Sequence, residues 1–206
     1  MKKIAIFLGV FFITSLCQAN ELQKFGIQMS YFYVNPTEKS FIEFQKDAAN
    51  FEQQLKSSKN HADIMVALMV ARISEKYNWP IQDTFLKPQS LEILQGKSKL
   101  ANFINDDSAV NPTKLDIWWA SYFATGDDQY LHKILQFAGE EMPTKGDVTK
   151  LLVIGAATWS FKSNCKQHTS VRDFAVKTSK NNSLSPKKRA YLREVIAFSD
   201  NNSAHQ

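Results

Sequence analysis

Residues 111–138 read NPTKLDIWWASYFATGDDQYLHKILQFA, and this stretch decides the fold class. Asn111-Pro112-Thr113 is a helix start: an asparagine side chain accepts from free amides, and proline fits the first helical position, where no N–H is needed. Leu115, Trp118, Trp119, Tyr122 and Phe123 then follow at helical spacing. Gly126 tolerates the left-handed backbone that stops a helix, and an aspartate of Asp127-Asp128 caps the next. Tyr130, Leu131, Ile134, Leu135 and Ala138 line that second helix. The spacing predicts an antiparallel helical hairpin over Pro112 to Phe137 with a tight corner.

The same signals recur outward. Asn35-Pro36-Thr37-Glu38 repeats the start, with Asn35 expected as cap and Glu38 closing a capping-box-like pair. Phe41, Phe44, Ala48, Phe51 and Leu55 then form one apolar stripe, read as a single continuous helix. A further helix is expected from about His61 to Tyr77, initiated by Asn60; Ile64 to Ala71 is apolar around the whole circumference and belongs in the centre of a fold. Trp79-Pro80 ends it. Pro80 to Asp107 reads as short helices joined by turns. Asp147 caps a helix reaching about Gln167, Thr169 is expected to cap a short one, and Ser185-Pro186 opens the last. Phe25 to Val34 alternates like a strand but has no hairpin partner, so it is an extended arm or a short helix. The expectation is an all-α fold, an array or bundle of antiparallel helical hairpins, with residues 20–206 forming one domain.

The beginning of the chain carries an address. Lys2 and Lys3 precede an apolar run from Ile4 to Leu16, and Cys17-Gln18-Ala19 offers small residues where a signal peptidase inspects them. Residues 1–19 read as a bacterial signal peptide, giving a periplasmic or secreted protein without a stable membrane anchor in its mature form. Leu16 before Cys17 does not fit a lipoprotein motif. Removal of Cys17 leaves Cys165 alone, so stability must come from an ordinary core rather than a disulfide. Lys2 and Lys3 leave with the leader, and the remaining 23 of 25 basic residues face 20 acidic ones. That mild surplus, dispersed except for Lys187-Lys188-Arg189, argues against a nucleic-acid binder.

Gly126-Asp127-Asp128 followed by Tyr130 resembles the corner between paired helices of tetratricopeptide-like proteins. Thr113 to Ala138 and Val148 to Thr178 are the two units concerned, without a regular 34-residue period. The chain also resembles exported bacterial proteins without assigned function that carry a Trp-rich helix ending in Ala-Thr-Gly-Asp. The tetratricopeptide resemblance implies a concave surface that binds a protein or peptide.

The residues themselves offer two kinds of site. Cys165 and His168 are three apart on a helix, the spacing of a nucleophile and its base, or of half a metal site. A zinc site needs two further ligands and no second Cys/His cluster exists in the sequence, so no metal or other cofactor is expected. Burial of the thiol and helix capping by His168 is the simpler reading. Asp106-Asp107, Asp127-Asp128 and Glu140-Glu141 are adjacent carboxylates, not an acid–base pair across a cleft. The aromatic residues Trp118, Trp119, Tyr122 and Trp159 are candidates for a binding surface, against the simpler role of filling the core. The expected function is a non-catalytic protein-binding or adaptor role in the envelope or outside the cell. The alternatives are a hydrolase-like enzyme assembled around Cys165 and His168, and a secreted host-directed factor.

Overall fold

The computed structural model describes residues 18–58, 61–143 and 146–203. The leader assigned to residues 1–19 falls almost entirely outside them, as do Asn60 and His205. Among the described residues there are eleven α-helices, one 3-10 turn and no strand. The fold is all-α. It divides into two compact units, one comprising the described residues up to Asp107 with Trp119–Gly126, the other Ser108–Trp118 with Asp127 onward.

The first unit begins with α1 (Gln18–Ser30) and the 3-10 turn Phe32–Val34. Of the two readings of this region, the short helix is the one that forms. Leu22, Phe25 and Met29, at steps of three and four, bury one face of α1. Phe25 stacks on Phe44 at 5.5 Å, and Phe32 sits 6.3 Å from Phe41. Both partners belong to α2 (Glu38–Asn50).

The start of α2 differs from expectation. Thr37, not Asn35, is the cap: its hydroxyl accepts from the Ser40 amide at 3.0 Å, and Ser40 Oγ accepts from the Thr37 amide at 3.0 Å. A reciprocal pair satisfies two free donors, and that moves the start past Pro36. The expected continuous helix also breaks at Phe51, whose φ of −104° and ψ of 16° separate α2 from α3 (Glu52–Ser57). Leu55 is nonetheless fully buried.

The central helix of this unit is α4 (Ala62–Tyr77), with Val66 to Ala71 buried on all sides. It packs on α5 (Lys87–Gln95), which packs on α6 (Lys99–Asn105). Asn78 ends α4 in the left-handed region at φ 56°, a conformation asparagine adopts more readily than most residues. The buried Gln45 accepts from the Gln82 amide at 2.8 Å, tying the loop after α4 to α2. Lys76 donates to the carbonyl of Thr125, the last residue of α7 (Pro112–Thr125). A lysine there satisfies an end-of-helix acceptor and complements the helix dipole.

The second unit takes the first half of α7, then α8 (Asp128–Phe137), α9 (Val148–Gln167), α10 (Thr169–Ser179) and α11 (Pro186–Ser203). Asn111 Oδ1 accepts from the Lys114 amide at 3.0 Å, so here the expected asparagine cap is in place. Gly126, at φ 66°, and Asp127, accepting from the Gln129 amide at 2.9 Å, form the corner before α8. Trp118 and Phe137 face each other at 6.1 Å, bringing the end of α8 back beside α7. Thr169 does not cap α10. The flanking residue is His168, and it makes no side-chain cap.

One clamp holds α8 to α11. Lys188 is buried in the first turn of α11, and its Nζ donates to the carbonyls of Leu135 (2.7 Å), Gln136 (3.2 Å) and Ala138 (2.6 Å). Glu140 Oε1 lies 2.6 Å away and balances the charge. These carbonyls are the ones a helix end leaves without partners. Beside them, Gly139 at φ 72° lies under Tyr191, where an added Cβ would come within 2.4 Å of the ring. Tyr191 in turn donates to the Thr158 carbonyl at 3.0 Å, and Thr158 Oγ1 accepts from the Gly139 amide at 2.9 Å.

Candidate functional site

Cys165 and His168, the alternative thiol–imidazole site, are built as core. Cys165 and His168 both lie on the buried side of the second unit, each about 1% exposed. Burial pushes the Cys165 thiol up, outweighing the Ser199 contact and Arg172, which favour the thiolate. Burial pulls His168 down to about 4, so at neutral pH the imidazole is uncharged. Cys165 Sγ lies 3.4 Å from Ser199 Oγ, whose hydroxyl also reaches the Val195 carbonyl at 2.9 Å. Arg172 and Asp200, the nearest opposite charges, neutralise each other at 2.5 Å. A reactive cysteine needs a lowered pKa and access, and this one has neither.

The aromatic candidates separate into two kinds. Trp118 (2% exposed), Trp119 (6%) and Tyr122 (1%) are core residues. Trp119 stacks on Phe123 at 5.5 Å, and Tyr122 lies 5.0 Å from Tyr33. A helix that is apolar all round is covered all round, and α7 follows that rule. Trp159 is 56% exposed.

Trp159 belongs to a row along α9. Asp147 starts the helix by accepting from the Lys150 amide at 2.8 Å, and His168, in extended backbone, ends it. One side of the twenty-residue helix is buried through Val153, Ile154, Ala157, Phe161 and Cys165. On the other, Val148, Leu151, Gly155 and Trp159 recur at steps of three, four and four. Val148, Leu151 and Trp159 are exposed. Met142, half-exposed, places its terminal methyl 3.6 Å from where a Gly155 Cβ would stand, closing the gap in the row. Lys162 continues the row; its Nζ reaches Glu194 Oε1 at 3.0 Å and lies 4.5 Å from the ring of exposed Phe198 on α11. Sequence reasoning singled out Trp159 but not the row it belongs to. The spacing was visible, but which side of an apolar helix stays uncovered is decided by α10 and α11.

Other features are weaker. Asp116 on α7 keeps an exposed surface, yet desolvation by the surrounding protein raises its carboxyl to about 6. It has no hydrogen-bond or ion-pair partner among the described residues, so no second group completes an acid–base pair. A shallow, open depression on α3 is lined by Glu52, Gln53, Lys56 and Ser57, and its charges pair with each other. Among the described residues no three His, Cys, Asp or Glu side chains converge as a metal-holding group, and no helix is long and apolar enough to cross a membrane.

No protein-family model, no curated protein and no solved structure matches the chain significantly.

Proposed function

We propose that this chain is a non-catalytic helical-hairpin protein that docks a protein or peptide on the exposed face of α9. The observation that carries the reading is Trp159, a large aromatic side chain left 56% exposed within an apolar row. Exposing such a row costs solvation free energy, and contiguous apolar surface of this kind marks interaction sites. Tryptophan is also the residue that most often anchors an interface. The buried thiol, the neutral imidazole and the isolated carboxyl give catalysis no assembled group to work with.

The leader supports action in the bacterial envelope or outside the cell. The corner at Gly126-Asp127 and the stacked pair Trp118–Phe137 support a tetratricopeptide-like arrangement, in which successive hairpins present side chains to a ligand. Trp118, Trp119 and Tyr122 act in this reading as the support and Trp159 as the contact.

A photo-crosslinking amino acid placed at Leu151, expressed in the native cells, tests it. The expected result is a discrete adduct at Leu151 and none from the same probe at Ile27, an exposed apolar residue of α1. Equal labelling from both positions, or none from either, would contradict the reading.

A further inference from the structure

The α9 face also states the chemistry of what it meets. We infer that its occupant is an amphipathic segment of another protein, apolar along one stripe and acidic at one end; this deepens the docking reading and rests on it.

The inference starts from charge. The twenty residues of α9 contain three lysines, Lys150, Lys162 and Lys166, and no carboxylate. Four carboxylates of the second unit are already engaged. Glu140 pairs with Lys188, Glu141 with Lys187 and Glu194 with Lys162, while Asp147 caps the helix. Lys166 is exposed and has no ion-pair partner among the described residues. It stands four residues beyond Lys162 and seven beyond Trp159, on the same side of the helix.

Order along the helix narrows the class. Val148 to Trp159 spans about 16 Å at 1.5 Å per residue, roughly three turns of a partner helix. The apolar part occupies the N-terminal half of α9 and the lysines Lys162 and Lys166 its C-terminal end. That is the complement of a segment with anchors at i, i+4 and i+7 followed by carboxylates, the pattern of helix-in-groove recognition. An anionic lipid surface fits less well. It asks for cations along both flanks of the apolar stripe, whereas Lys162, Lys187 and Lys188 are already paired with Glu194, Glu141 and Glu140.

Two synthetic amphipathic peptides sharing one leucine stripe, one ending in glutamates and the other in lysines, test the inference against the intact mature chain by fluorescence anisotropy. The expected result is preferential binding of the glutamate peptide. Lys166→Glu should lower that affinity about fivefold and raise the affinity of the lysine peptide, because an exposed pair is changed from attraction to repulsion. Equal binding of the two peptides, binding of neither, or capture by phosphatidylglycerol vesicles that is indifferent to Lys166→Glu would overturn it. The docking reading fails separately: loss of the cellular partner in Trp159→Ala alongside peptides that do not discriminate would leave docking standing and remove the acidic partner.

Discussion

Two helices of this chain carry their tryptophans in opposite ways. On α7, Trp118 and Trp119 point into packed aromatic surroundings and are almost fully covered. On α9, Trp159 is more exposed than covered. Both helices are rich in apolar residues on more than one side, so sequence periodicity alone does not tell them apart. Neighbours make the difference: α10 and α11 cover one side of α9 and leave the Val148–Trp159 row open. An aromatic residue in a helical chain is therefore assigned by what packs on it, and only the uncovered one is available to a partner.

The sharpest way to break the comparison is to truncate both rings. Trp119→Ala should cost about 3–5 kcal/mol in equilibrium denaturation, the usual price of emptying a large aromatic site. A smaller loss is expected from Gly139→Ala, about 3 kcal/mol, because the new methyl meets Tyr191 and the backbone sits at φ 72°. Combining it with Tyr191→Ala should make the glycine change less costly, which chemical denaturation of the double mutant would show.

The basic run Lys187-Lys188-Arg189 sharpens the contrast between covered and uncovered at the level of single lysines. Lys188→Met should cost about 2–3 kcal/mol by stranding helix-end carbonyls and Glu140. Lys187→Ala, which removes an exposed pair with Glu141, should cost less than about 0.5 kcal/mol. Thermal melts of the two variants measure the gap.

Acid probes the buried pair. His168 is held at about 4 in the fold against an ordinary 6.5, so the unfolded chain binds the proton first as pH falls. Its contribution is complete above about 6.5 and is lost progressively down to about 4, on the order of 3 kcal/mol. Asp116 works in the opposite sense. Its raised pKa adds stability as pH falls from about 6 to 3.8, by less because its surface is open to solvent. The pH dependence of His168→Gln, compared with the parent chain, should lack the destabilising slope.

How far local sequence reaches is visible in one repeated word. Asn-Pro-Thr occurs at 35–37 and 111–113, and the structure uses it twice differently. At the second site Asn111 caps and Pro112 opens the helix. At the first, Ser40 stands three residues beyond Thr37 and completes a reciprocal pair, so the start shifts to Glu38. Helix existence was legible in both cases and the boundary in only one. The break at Phe51 was hidden for a related reason: Leu55 stays buried across it, so the apolar stripe reads as unbroken. The Lys188 clamp joins residues about fifty positions apart, beyond any periodicity. Of the aromatic candidates, the residue types were legible. Their exposure was not, since it depends on tertiary neighbours.

The smallest expected effect on stability carries the most weight for function. Trp159→Ala should change the folding free energy by less than about 0.5 kcal/mol, as for other exposed positions. The direct test is a quantitative crosslinking pull-down of tagged Trp159→Ala from its own cells beside the parent chain, with both proteins shown to melt at the same temperature. The account predicts a discrete partner on the parent chain and its loss from the variant. A partner retained at full yield by folded Trp159→Ala would contradict the assignment of α9 as the docking face.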